Sequence, residues 1–177
     1  LASSGTPTET TDFQRYAFAA ATPSGTIGYV IGTKIWEIAP SVTSMTDRTG
    51  GVTVGLKPHM AQFGNATICA MGNTNATVSA TGGAFANLAG APKAELAVVC
   101  SNVALLLNVD GGTLTTDGFY ASDVADYTNW TTGEAINLRL IQTPGPILAA
   151  VTYGDAVYAL KQGSIYRLRY VGGTPKW

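Results

Sequence analysis

Apolar and polar residues change places along this chain on a short rhythm. Four times, two apolar runs of strand length are separated by a small polar pair, the spacing of a tight antiparallel hairpin. The first is Ile27 to Ile31 and Lys34 to Ile38 about Gly32-Thr33, and the second Met60 to Phe63 and Ala66 to Met71 about Gly64-Asn65. The third is Leu96 to Cys100 and Val103 to Leu107 about Ser101-Asn102, and the fourth Leu148 to Tyr153 and Ala156 to Leu160 about Gly154-Asp155. Glycine and asparagine supply the positive φ that such turns demand. Thr77 to Phe85 is a further strand candidate. Ser164 to Val171 alternates, with Tyr166, Leu168 and Tyr170 on one side and Arg167 and Arg169 on the other. Lys161-Gln162-Gly163 supplies its turn, so Leu148 to Val171 reads as a three-stranded meander. No stretch sustains a 3.6-residue period, and only short helical turns near Ala91 to Glu95 or Ser122 to Thr128 are compatible with the pattern.

The turns recur at uneven intervals near the length of a propeller blade, and the longest interval holds an insertion at 111–134. The pattern predicts an all-β fold of antiparallel meanders in a β-propeller-like arrangement, complete or partial. A polar segment over 1–25 precedes the domain over 26–177. Pro/Gly clusters at Thr143-Pro144-Gly145-Pro146 and Gly172-Gly173-Thr174-Pro175 mark linkers.

Composition narrows the partners. The 177 residues are 46% hydrophobic and 12% charged, about half the charge of an ordinary soluble domain. A net charge of -1 supplies no global attraction to nucleic acid or to an anionic membrane. No apolar run has the length of a membrane-spanning helix, and residues 1–11 carry no basic region of the kind that opens a signal peptide. Cys69 and Cys100 stand in apolar runs and read as buried small hydrophobes, with a disulfide as the alternative. The Asn-x-Thr triplets at Asn65, Asn75 and Asn129 are weak glycosylation signals in a Thr-rich chain.

Candidate chemistry is sparse, and the sequence predicts a protein without enzymatic activity, cofactor or metal. His59 is the single histidine and has no cysteine, serine or paired acid nearby to complete a triad or metal site. Asp123 and Asp126 are the nearest pair of acids for glycoside hydrolysis, and with Asn129 they could form an ion site; the plainer reading is that they cap a turn. Glycine-rich Gly25 to Gly32 matches no phosphate-binding fingerprint. Charge is segregated. Asp110, Asp117, Asp123, Asp126 and Glu134 form an acidic segment, and Lys161, Arg167, Arg169 and Lys176 a basic tail. In a ring of identical subunits the two could meet across an interface; the plainer reading is a solvated surface.

The order of several motifs resembles a known family. Ala61-Gln-Phe-Gly-Asn, Phe85-Ala-Asn-Leu-Ala-Gly-Ala-Pro-Lys-Ala94, Ser122-Asp-Val-Ala-Asp-Tyr-Thr-Asn-Trp130 and Lys161-Gln-Gly-Ser-Ile-Tyr-Arg-Leu-Arg-Tyr-Val-Gly-Gly173 follow one another as in propeller-like tail hub, nozzle or head-to-tail connector proteins of short-tailed bacteriophages. The resemblance runs from about Thr26 to Trp177, and its two strongest pieces are the S-D-x-x-D-x-x-N-W and S-I-Y-R-L-x-Y-V-G-G blocks. It implies a structural subunit of the virion tail, assembled in the host cytoplasm as a homo-oligomeric ring that forms part of the genome-ejection conduit. Its partners would be other tail, adaptor or portal proteins, with non-specific contact to passing DNA and no membrane anchor. Family members run longer, so the resemblance implies a domain that continues past Trp177. Candidate subunit contacts are Asp123, Asp126, Trp130, Arg167, Arg169, Lys176 and Trp177, with Tyr153, Tyr158, Tyr166 and Tyr170 beside them; core packing competes for Tyr166 and Tyr170. The alternative function is a carbohydrate- or receptor-binding β module of a virion presenting Trp130.

Overall fold

The computed structural model describes residues 2–3, 16–22, 25–38, 44–55, 58–80, 82–110, 116–172 and 177. Every regular element among them is a β-strand. The first sheet holds β1 (Ala2–Ser3), β2 (Tyr16–Thr22), β3 (Gly25–Ile31), β4 (Ile35–Ile38) and β5 (Ser44–Asp47); the second holds β6 (His59–Phe63), β7 (Ala66–Ala70), β8 (Thr77–Ser79) and β9 (Ala86–Asn87). The third is built from β10 (Lys93–Cys100), β11 (Val103–Asp110), β12 (Gly118–Ala121) and β13 (Ile136–Arg139), and the fourth from β14 (Ile147–Tyr153), β15 (Ala156–Lys161) and β16 (Ser164–Arg169). All pairings are antiparallel and run in chain order, except that β1 adds parallel to β5.

Each sheet contains an antiparallel strand pair that closes in equivalent register. Thr22 pairs with Gly25, Phe63 with Ala66, Cys100 with Val103, and Tyr153 with Ala156. Three of these hairpins are those read from the apolar runs. In the first sheet the Gly32-Thr33 turn joins β3 to β4 instead, so the opening hairpin lies one strand earlier and β2 falls within residues 1–25. Residues 111–134 are not a simple insertion, because β12 is the third strand of its sheet. The proposed helical turns are absent from the described residues: β10 begins at Lys93, and 122–128 is a chain of tight turns.

The leading strand of each of these pairs lies beside that of the next, β2 by β6, β6 by β10 and β10 by β14. Successive blades of a propeller are arranged in this way. Three apolar cores fill the three junctions. Ala20, Ile27, Tyr29, Met60 and Cys69 join the first sheet to the second; Ala61, Ile68, Ala97, Leu106 and Trp130 join the second to the third; Val98, Leu105, Leu107, Phe119 and Val157 join the third to the fourth.

Strand β11 shows why a continuous apolar run was needed. Ala104 and Leu106 face the second sheet while Val103, Leu105 and Leu107 face the fourth, so both sides of the strand are buried. The alternation breaks at Asn108, whose φ is +55°, and Val109 consequently turns to the second-sheet side. Asn108 Nδ2 donates to Glu95 Oε2 and to the Ile147 carbonyl oxygen, both at 3.0 Å, tying β10 and β14 together.

Candidate functional site

The acidic block at 122–134 is a loop that satisfies itself. Asp123 Oδ1 accepts the amides of Val124 and Glu134, each at 2.8 Å, and Oδ2 accepts Asn129 Nδ2 at 3.2 Å. Asp126 Oδ1 accepts the Thr128 amide at 2.9 Å and its hydroxyl at 2.6 Å, and these donors hold the carboxyl below its usual pKa. Asn129 Oδ1 accepts the amides of Thr131 and Thr132. Ser122 fixes the loop to its sheet, accepting the Ala104 amide at 3.0 Å and donating to the Asp123 carbonyl at 2.9 Å. Gly133, at φ +64°, leaves the space that Asp123 needs; a Cβ there would stand 2.4 Å from Oδ2.

This geometry makes Asp123 and Asp126 turn caps, the plainer of the two readings. Three hydrogen bonds from within the loop engage both oxygens of Asp123 and hold its carboxylate in the cap. The loop's other product is the placement of Trp130. Its ring is 3% exposed and packs into the core between the second and third sheets, so it is not a surface contact. An indole followed by threonines in a polar segment gave no periodic signal of burial.

The segregated charges also find partners within the chain. Asp117 takes a two-pronged ion pair from Arg139, at 2.8 and 2.9 Å, and Glu134 accepts the Tyr170 hydroxyl at 3.4 Å. Lys161 is buried, donating Nζ to the carbonyl oxygens of Leu140 and Thr143 beneath the Tyr166 ring. Arg167 and Arg169 both reach Asp155, at 3.4 and 2.7 Å, on the exposed hairpin tip. Trp177 stacks edge-on against Phe119 and tilts against Tyr170 at the margin of the third junction. Lys176 lies outside the described residues.

Among the described residues, one side of the fourth sheet lies exposed. Its inner side buries Ile147, Val157, Ala159 and Leu168 against the third sheet. Its outer side carries Val151, Tyr158 and Arg167 in one cross-strand row and Ala149, Leu160 and Ile165 in the next, with Tyr153 at the hairpin end. Val151 is 54%, Ile165 68% and Tyr153 77% exposed. Sequence reading named Tyr153 and Tyr158 here, yet passed over Val151 and Ile165 because isolated aliphatics in a strand look the same whether covered or open.

Among the described residues no three His, Cys, Asp or Glu side chains converge to hold a metal ion. No protein-family model matches the chain, and no curated protein matches it. Its own chemistry is therefore the guide. His59 is half-buried at the second junction, its Nδ1 accepting the Ala97 amide at 3.4 Å, and burial lowers its pKa. Burial pushes the Cys69 thiol far above its usual range; both cysteines are free and buried, which removes the disulfide alternative. A polar recess of about 260 Å³ lies between Thr53, Asn73, Asn75, Asn87 and Lys93, without an aromatic platform.

Proposed function

We propose that the chain is a non-enzymatic structural subunit of a bacteriophage tail, of the hub, nozzle or connector kind, built from blade-like sheets and joined to its neighbours through an apolar sheet face. The observation that carries this reading is the outer side of the fourth sheet. Val151 occupies the place that Ala20, Ala61 and Val98 hold in the three preceding hairpins, and Tyr158 that of Ile27, Ile68 and Leu105. Those counterparts are buried by the next sheet, whereas Val151 is open. A surface of this composition suits assembly better than solvation. The tail assignment itself comes from the motif order in the sequence. Low overall charge agrees with a subunit that covers much of its surface with neighbours.

The glycan-binding alternative loses its named platform, because a buried Trp130 cannot stack on a sugar. An antibody raised against this chain, applied to purified virions in electron micrographs, tests the proposal. Labelling at the tail is expected, and particles that lack the chain altogether would overturn it.

A further inference from the structure

We propose that the polar recess at the margin of the second sheet is a binding site for an acidic monosaccharide, a single sugar ring that carries a carboxylate. Four stretches of chain shape it. Thr53 comes from the segment after β5, Asn73, Thr74 and Asn75 from the connection between β7 and β8, and Asn87 from β9, while Lys93 opens β10. Backbone bonds fix these stretches to one another. The Gly72 amide donates to the Ala94 carbonyl at 2.8 Å and the Leu88 amide to the Ala76 carbonyl at 2.9 Å. Asn75 bridges to Lys93, and the Thr74 hydroxyl donates to the Thr53 carbonyl at 3.3 Å. The recess is therefore formed before a ligand arrives, and little ordering cost falls on binding.

Its chemistry contrasts with that of the loop at 122–134. There the polar groups spend themselves on one another. Here the carboxamides of Asn75 and Asn87 and the ammonium of Lys93 make no side-chain hydrogen bond or ion pair with another described residue. Lys93 is the sole charge among the described lining residues, and Asp110, its cross-strand neighbour on β11, neither lines the recess nor pairs with it. A cation set beside carboxamides and hydroxyls matches a molecule with one carboxylate and several hydroxyls. The ammonium meets the carboxylate, and each carboxamide both donates to and accepts from hydroxyl groups. Size narrows the class further. A recess of about 260 Å³ falls below the roughly 300–1,000 Å³ of sites for drug-sized molecules, so it suits one ring. With no aromatic side chain among the described lining residues, hydrogen bonds and the ion pair carry the contact. The site is independent of the assembly reading above.

Amide NMR titration of the whole chain with sodium D-glucuronate tests the site, with D-glucose and sodium acetate at matched ionic strength for comparison. Glucuronate should shift the amides of Thr53, Asn75, Asn87 and Lys93 with a Kd of about 1 mM, the scale for a ligand of this size. Glucose and acetate should each bind at least about tenfold more weakly, because each offers half of the matching chemistry. Lys93→Gln should weaken glucuronate at least about tenfold and Lys93→Arg less than about threefold, while Asn87→Ala should weaken it about fivefold. Lys93 and Asn87 are exposed, so all three variants should keep the thermal midpoint of the wild-type chain. No localised shift, glucose or acetate binding as tightly as glucuronate, or full affinity in Lys93→Gln would each overturn the proposal. A chain that labels tails yet ignores glucuronate loses this site alone, and one that binds glucuronate but is absent from virions loses the tail reading alone.

Discussion

The third and fourth sheets are written in the same pattern and end in different environments. Both open with an apolar hairpin on a two-residue turn, Cys100 to Val103 in one and Tyr153 to Ala156 in the other. The third is sandwiched, and both sides of β11 vanish from solvent; the fourth is covered on one side alone. The difference teaches that strand hydrophobicity reports what a strand can bury, and that its neighbours decide what it does bury. Side-chain size adds a clue. The sandwiched hairpin uses Leu105 and Leu107 where the open one has Tyr158 and Leu160, and Ala121 where the open one has Arg167.

The comparison breaks most sharply at Phe119 and Ile165, which occupy equivalent places on the third strands of the two sheets. Phe119→Ala should cost about 4 kcal/mol of unfolding free energy, because it empties a site with no exposure in the third junction. Ile165→Ala should cost less than about 0.5 kcal/mol at low micromolar concentration, since that side chain stands in water. Chemical denaturation of the two variants measures the gap.

Two glycines sharpen the contrast at the loops. Gly133 closes the loop capping the third sheet, and Gly145 lies in the linker into the fourth; both have positive φ. A Cβ at Gly133 would run into the Asp123 carboxylate, while at Gly145 it meets nothing within 4 Å. Gly133→Ala should therefore cost about 3 kcal/mol, combining backbone strain with a displaced cap, and Gly145→Ala about 1 kcal/mol for strain alone. Equal thermal shifts in the two variants would show that the Asp123 cap contributes nothing.

Much of this architecture was legible because hairpins are local. Gly64-Asn65, Ser101-Asn102 and Gly154-Asp155 mark turns whose chemistry depends only on their own φ angles, and the strands on either side follow. Strand β13 was missed because Ile136–Arg139 is a short edge strand, mostly exposed, that directly follows the segment read as an insertion. The first sheet was entered one hairpin late because the alanines of β2 are weak strand formers. The contact residues divided along similar lines. Trp130 looked like a surface aromatic because its neighbours are polar, but those neighbours spend their polarity on one another, and the indole is free to enter the core.

Asn108 tests whether the third and fourth sheets unfold together. Its amide is buried and bridges Glu95 to the Ile147 carbonyl, so Asn108→Ala should cost about 2 kcal/mol by leaving that carbonyl unpaired and placing alanine at positive φ. Asn108→Gly relieves the strain but not the lost bonds, and should fall between. A single calorimetric transition that splits into two in Asn108→Ala would identify this bridge as the coupling between the sheets; a uniformly shifted single transition would mean the apolar junction couples them unaided.

The smallest effect separates the second junction from the third. The hydrogen bonds of Asn108 and Thr152 across the third junction involve side chains that do not titrate, whereas His59 at the second has a pKa that burial lowers from 6.5. The unfolded chain then binds a proton at higher pH than the folded one, so the stability tied to neutral His59 is fully present above about pH 6.5. It falls as the pH drops toward the folded pKa, and levels off below it. Asp126, held below the ordinary carboxyl value by Thr128, responds only in stronger acid. Denaturation midpoints measured at about pH 7.5 and about pH 5.5 should fall in the wild-type chain and change less in His59→Gln. Hydrogen exchange at the lower pH should then rise first in β6 and β10, where they meet, and later in β14; equal loss of protection in both places would mean that the two junctions respond to acid as one.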